Sequence, residues 1–166
     1  MILKDLSAFS CEQEPEIERF LKERSIPFEK AHKSRTYLIL EKKSSPEDGI
    51  AILAFISLAL ASFRIQKDVS NSLRKRLNGI FMNYDVPCFL IGQLAKNDRY
   101  WDKIEGSELI DYAMNFFEKG HDLVGGRFVR VDCREEERLI RFYEENEFIR
   151  VQMNDESGLI QMVRFF

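Results

Sequence analysis

Histidine and cysteine are scarce in this chain, and each scarcity removes a class of chemistry. The two histidines, His32 and His121, stand far apart without metal-ligand spacing, which argues against a zinc site. The three cysteines, Cys11, Cys88 and Cys133, are odd in number and never close in sequence. They fit structural thiols in a reducing compartment better than a disulfide framework. The opening residues MILKDLSAFS lack a positive region followed by a long apolar core, so no signal peptide is read there. The most apolar run, IAILAFISLALASF (50–63), spans 14 residues, two of them serine. A membrane span needs about 20, so this run reads as a buried strand. No repeat, low-complexity tract or linker divides the chain. The expectation is one domain over residues 1–166, cytoplasmic and without a membrane partner.

What is present fits that picture. The 166 residues are 45% hydrophobic and 32% charged, which suits a folded domain with a core and argues against disorder. Fourteen phenylalanines predict a core rich in aromatic rings. A net charge of −3 supplies no overall field to draw the chain to nucleic acid or to an anionic membrane.

Residues 3–10 suit a first short strand. EPEIERFLKERS (14–25) follows as a helix, with Pro15 in its first turn, Glu16 and Glu18 at its positive end, and Ile17, Phe20 and Leu21 as its apolar stripe. IPFEKAHKS (26–34) suits a second short helix. SRTYLILEKK (34–43), the turn SSPEDG (44–49) and the run 50–65 read as an antiparallel hairpin. Residues 66–86 are polar, basic and mixed. PCFLIGQLAKN (87–97) reads as a strand. A helix follows from about 103 to 119, with Leu109, Tyr112, Ala113, Phe116 and Phe117 on one face. GRFVRVDC (126–133) is a strand and EEERLIRFYEENE (135–147) a helix with a Glu-rich, solvent-facing surface. FIRVQMN and LIQMVRFF are two closing strands around a DESG turn. The strand–helix–strand unit 87–133 predicts a right-handed parallel crossover, and the remaining pairings are largely antiparallel. The fold class is α/β, in three layers, with a mixed, mostly antiparallel sheet flanked by helices.

Between strand and helix lies RYWDKIEGSELI (99–110). A strand, a loop and a helix N-terminus form a common phosphate cradle, usually with two or three glycines. This loop has only Gly106, and read alone it is better described as a plain helix start than as a cofactor loop.

Three stretches carry a family resemblance. FSCEQEPEIERFL (9–21) with SRTYLIL (34–40) looks like the N-terminal part of a bacterial branch of the GNAT N-acetyltransferases that includes acetyltransferase toxins. FLIGQLAKNDRYWDKIEGSELI (89–110) is similar to that branch's fourth strand, acyl-CoA loop and third helix. VDCREEERLIRFYEENEF (131–148) looks like its fifth strand and the helix carrying the FY pair. With the order of elements, the chain resembles this GNAT branch over nearly its whole length. The family loop usually reads Gln/Arg-x-x-Gly-x-Gly/Ala. The matching positions here are Trp101, Ile104 and Gly106, and only the last agrees. Glu147 stands where many members carry glycine.

The resemblance implies an acyl-CoA-dependent N-acetyltransferase, moving an acetyl group from acetyl-CoA directly to a primary amine. It places the pyrophosphate against backbone N–H groups around Trp101, Lys103, Ile104, Gly106 and Ser107. Lys103, Gly106 and Ser107 favour phosphate there, whereas Asp102, Ile104 and Glu105 oppose it. It sets Leu94, Ala95 and Lys96 beside the pantetheine like an added strand, one N–H serving the thioester oxyanion. Gly92, mid-strand, suits a bulge at that point. It makes Tyr143 the general acid that protonates the departing thiolate. Without the resemblance, a tyrosine beside Phe142 on an amphipathic helix reads as core. No Asp or Glu lies within 87–97, and Asp132, ending the next strand, is the candidate base.

The basic stretch SLRKRLNG (72–79) reads either as a contact for RNA or the CoA 3′-phosphate, or as a solvated helix face. The absence of interleaved aromatics favours the second. The alternative function is a non-catalytic GNAT-like module that binds CoA or a partner protein, motivated by the single-glycine loop and the missing base. The net charge disfavours nucleic acid, with tRNA still open as an acceptor, and a homodimer is equally open.

Overall fold

The computed structural model describes residues 6–42, 50–80 and 84–166. The expected turn over 44–49 and the start of the expected strand over 3–10 lie outside them. The described part of that strand is not one: Leu6 and Ser7 are helical. Leu6 and Phe9 are both buried, and the Phe9 N–H donates to Leu6 O at 3.2 Å. A spacing of three puts both apolar side chains on one side of a helical turn, which a strand would not do.

Pro15 takes the first position of α1 (Pro15–Arg19), where its missing N–H costs nothing. A π-helical turn (Phe20–Arg24) and α2 (Ser25–Lys30) continue it. Ser25 Oγ donates to Leu21 O at 2.6 Å, a back-bond of the kind that bends helices, and the second helix starts there. β1 (Arg35–Lys42) then pairs antiparallel with β2 (Ile50–Arg64), with a register shift between Ile39 and Leu40. The apolar run is a strand, as expected, and Ala51 through Leu58 are buried without a break. A strand covered on both faces needs such a continuous run. Among the described residues no helix is long and apolar enough to cross a membrane.

The rest of the chain supplies α3 (Asn71–Asn78), β3 (Asp85–Lys96), a 3₁₀ turn (Asp98–Tyr100), α4 (Gly106–Val124), β4 (Phe128–Cys133), α5 (Glu137–Glu145), β5 (Ile149–Met153) and β6 (Ile160–Phe165). The six strands form one sheet in the order β1-β2-β3-β4-β6-β5. β3 and β4 are parallel, from Phe89 opposite Val129 to Ile91 opposite Val131. β4 with β6 and β5 with β6 are antiparallel. The mixed, mostly antiparallel sheet of the sequence reading is therefore present.

The buried face of α4 differs from the expected one. Leu109, Ile110, Ala113, Met114 and Phe117 are buried, while Tyr112 is 46% and Phe116 38% exposed. The i, i+4 pair Ile110 and Met114 turns the apolar stripe away from the two aromatics, whose bulk made them look like core. The helix also starts at Gly106, later than 103, because Ile104 is buried ahead of it.

The chain divides into two compact units, one formed by residues up to Ala59 with Gly92–Ala113, the other by Leu60–Ile91 with Met114–Phe166. β2, β3 and α4 run from one into the other. The first unit buries Leu6, Phe9, Cys11, Leu21, Ile52, Phe55 and Ala95 together, with Phe9 edge-on to Phe55 at 5.4 Å. The second buries Phe63, Ile65, Val69, Leu77, Val86, Cys88, Phe128 and Val163, with Phe63 edge-on to Phe128 at 5.5 Å. The phenylalanine-rich composition is thus spent on two cores.

In the second unit the Phe89 ring packs against Phe117 at 5.0 Å and Phe166 at 5.6 Å. Gly126 closes this packing: its φ is +127°, and a Cβ there would lie 2.6 Å from the Phe89 ring. Gly125, at φ +78°, has nothing within 4 Å of such a Cβ. Gly126→Ala should cost about 2–4 kcal/mol, strain plus overpacking, and Gly125→Ala about 1–2 kcal/mol, strain alone. Urea midpoints at unchanged m-value read the difference. Equal losses for the two variants would contradict the Phe89 contact.

Candidate functional site

The segment 97–105 joins β3 to α4, and side chains give it its shape. Asn97 is 2% exposed. Its Oδ1 accepts from the Arg99 N–H at 3.1 Å and the Ser10 N–H at 3.4 Å, and its Nδ2 donates to Ile52 O at 2.8 Å. The chain then turns through Tyr100 N–H to Asn97 O at 2.9 Å and Lys103 N–H to Tyr100 O at 3.0 Å. Lys96 Nζ donates to Trp101 O at 2.6 Å and to Ile104 O at 3.0 Å. Ile104 is 6% exposed and anchors the segment, whereas Trp101 is 68% exposed. At the helix start, Glu108 Oε2 accepts the Glu105 N–H at 2.7 Å, half of a capping box. Lys103 Nζ lies 3.6 Å from Glu41 Oε1 with both side chains about half exposed.

Leu94, Ala95, Lys96, Trp101, Lys103, Ile104, Gly106 and Ser107 all belong to the first unit. Leu94, Ala95 and Lys96 end β3, past Ile91, where the parallel register with β4 stops. Gly106 and Ser107 open α4. Lys96 binds the carbonyls of Trp101 and Ile104 directly. Two organisers of the loop, Asn97 and Glu108, were missed in the sequence. Each has a signal there: an Asx-turn residue closing a strand, and a glutamate three residues after the residue that precedes the helix.

Tyr143 belongs to the second unit and is 8% exposed. Its position is fixed by the end of α5. Phe148 N–H donates to Tyr143 O and Glu147 N–H to Glu144 O, both at 3.0 Å. These two bonds make a Schellman cap, with Glu147 in the left-handed position at φ +67°. The Tyr143 ring lies edge-on to Phe142 at 5.1 Å and to Phe148 at 5.6 Å. A glycine at this position would meet the same backbone demand without strain. Glu147 offsets its strain in part through Arg164, whose Nη2 lies 2.6 Å from Glu147 Oε2.

Asp132 is engaged on both oxygens. Arg130 Nε lies 2.9 Å from Oδ1, Arg130 Nη2 donates to Oδ2 at 3.0 Å, and Gln161 Nε2 reaches Oδ1 at 3.4 Å. Gln161 Oε1 accepts from Gln152 Nε2 at 2.7 Å, and Gln152 Oε1 accepts the Gln66 N–H at 3.0 Å. This amide chain underlies an open groove of about 1040 Å³, lined among others by Arg64, Gln66, Lys67, Tyr84, Asp155 and Glu156. None of the nine expected site residues lines it. Gln152 and Gln161 sit in strands and Gln66 just past the end of β2, and none carries a sequence signal.

The basic stretch forms α3. Arg74 Nη2 donates to the carbonyls of Gln66, Lys67 and Val69 at 2.9–3.3 Å. Arg76 stacks 3.9 Å over the Phe165 ring, and both Lys75 and Arg76 are exposed. Burial pushes the thiols of Cys11, Cys88 and Cys133 up to about 11, so they stay protonated at neutral pH. Among the described residues no group of three His, Cys, Asp or Glu side chains could hold a metal ion.

No family model and no curated protein matches the sequence. Solved structures do match. A tyrosine-to-phenylalanine mutant of KacT is 19% identical, over 95% of this chain and 86% of that one, with a TM-score of 0.74. AtaT complexed with acetyl-methionyl-tRNAfMet is 21% identical, over 98% and 86%, at 0.72. AtaTR bound with acetyl-CoA is 21% identical, over 96% and 86%, at 0.71. The chain has the GNAT-like fold of these proteins. The fold expected from the sequence is the one found. The eight loop and strand residues sit on one strand end, its loop and one helix start, and Tyr143 on the closing turn of the last helix, α5.

Glu147→Gly should relieve left-handed strain of about 1–2 kcal/mol and lose a partly exposed ion pair worth about 0–1 kcal/mol. The expected net is a rise in stability of about 1 kcal/mol, seen as a higher denaturation midpoint. A fall in the midpoint would contradict the strained cap.

Proposed function

We propose that this protein is a single-domain, acetyl-CoA-dependent N-acetyltransferase over residues 1–166, transferring acetyl directly to a primary amine. The observation that carries the reading is the fold match across almost the whole chain to AtaTR bound with acetyl-CoA. The residues present fit the donor. A buried Ile104 keeps its side chain out of the loop surface, Lys103 and Ser107 offer a cation and a hydroxyl, and the α4 start offers aligned N–H groups. When bound, acetyl-CoA supplies an acyl thioester whose carbonyl carbon is the electrophile.

In this reading Trp101, Lys103, Ile104, Gly106 and Ser107 hold the pyrophosphate end, Lys103 through its side chain because its N–H is given to Tyr100 O, the others mainly through backbone N–H groups. Leu94, Ala95 and Lys96 offer the part of β3 beyond its register with β4 to the pantetheine, and one of their N–H groups stabilises the oxyanion. The amine nitrogen forms the new C–N bond as the C–S bond breaks. Tyr143 gives its hydroxyl proton to the sulfur and recovers one from solvent. Asp132 is a poor candidate base, because taking a proton there would displace the Arg130 ion pair. The amine therefore arrives neutral or loses its proton to water.

For the acceptor, a small amine or a protein amine fits a chain of net charge −3 with Arg74 and Arg76 tied down. Aminoacyl-tRNA belongs in the same substrate panel because AtaT is complexed with acetyl-methionyl-tRNAfMet. One observation favours the alternative, a non-catalytic CoA-binding module: the Glu108 carboxylate sits at the α4 start, close to where phosphate would bind.

Tyr143→Phe should lower kcat by about 100-fold or more with the KM for acetyl-CoA little changed, measured against an amine panel. Full turnover in that variant would remove Tyr143 from the mechanism. No transfer by the unmodified protein to any amine would favour the binding module. Glu108→Gln keeps an acceptor for the Glu105 N–H but removes a charge, and should tighten acetyl-CoA binding about two- to fivefold.

A further inference from the structure

We infer that Lys96 is the positioning residue that holds the loop 97–105 in its ligand-ready shape, its ammonium supplying the constraint that additional glycines would otherwise leave to backbone freedom. The inference rests on the donor-site reading above. It adds a role for the Lys96 side chain, where that reading uses only the backbone.

The argument starts from peptide geometry. A trans peptide directs its C=O and the following N–H to opposite sides. Lys96 Nζ takes the carbonyls of Trp101 and Ile104, at 2.6 and 3.0 Å, from the same side. The N–H groups of Asp102 and Glu105 must then point away from the ammonium. For the 104–105 peptide both ends are held, since the Glu105 N–H is accepted by Glu108 Oε2 at 2.7 Å. The plane of that peptide, immediately before α4, has no rotational freedom left.

The same clamp accounts for the non-glycine at position 104. With Ile104 O drawn to Lys96 and its side chain buried at 6% exposure, the bulk that would obstruct a phosphate is folded inward. Lys96 also leaves a positive charge under a loop that carries Asp102 and Glu105. Charge-assisted hydrogen bonds of this kind are stronger than neutral ones. Removing the ammonium leaves two carbonyls to find other partners, which releases the loop and adds an ordering cost to every binding event.

The test uses the full chain as Lys96→Met and Lys96→Arg beside the unmodified protein. Each is titrated calorimetrically with acetyl-CoA and with adenosine diphosphate, which carries the pyrophosphate but no pantetheine. Amide exchange over 99–106 is followed without ligand. Lys96→Met should bind both ligands about tenfold more weakly and exchange faster across the loop, with exchange elsewhere unchanged. Lys96→Arg, which can still donate to both carbonyls, should recover most of both. The inference is overturned if Lys96→Met binds both ligands like the unmodified protein, if only acetyl-CoA binding falls, or if Lys96→Arg is no better than Lys96→Met. Failure of the unmodified protein to bind either ligand would sink the donor reading, and the exchange comparison would still decide whether Lys96 holds the loop.

Discussion

Every backbone N–H and C=O that leaves regular structure must find another partner, and the turn from β3 into α4 meets that demand with side chains. Lys96 takes two carbonyls, Asn97 takes two N–H groups and gives to a third carbonyl, and Glu108 takes the last N–H before the helix. The loop therefore needs little glycine, because its shape is imposed from the flanks. The functional reading depends on this one constraint. A loop held in a single conformation can present N–H groups to an anion without first paying to order itself.

The second unit is built on a comparable rule, with different residues. Tyr143 is placed by the closing bonds of its own helix, so its ring position depends on the αL conformation of Glu147. Arg130, Asp132, Gln161, Gln152 and Gln66 satisfy one another in a polar chain beneath the groove. That chain leaves Asp132 committed to structure, on both of its carboxylate oxygens.

Much of the fold was legible because its signals are periodic or compositional. The run 50–63 was too short for a membrane and read as a buried strand, and it is a strand whose residues 51–58 are buried on both faces. Pro15 marked a helix start, and the 87–133 unit carried its parallel pair. The misses have physical causes. Leu6 and Phe9 are spaced for a helical turn, yet the segment is apolar enough to resemble a strand. Tyr112 and Phe116 counted as core because they are aromatic, while Ile110 and Met114 set the actual face. In the loop, the Lys96 clamp was not readable. Lysine at the end of a strand usually points to solvent, and only the loop's return brings two carbonyls to it. The glutamine chain was equally silent, since it joins residues more than 80 positions apart.

The central claim is that this side-chain-held loop binds an acyl-CoA. The most direct measurement is calorimetric titration of the unmodified protein with acetyl-CoA. The predicted result is saturable binding of one acetyl-CoA per chain, with a dissociation constant in the micromolar range, about −8 kcal/mol. Absence of binding heat and of competition at millimolar acetyl-CoA would contradict it, leaving a GNAT-like fold without its donor site.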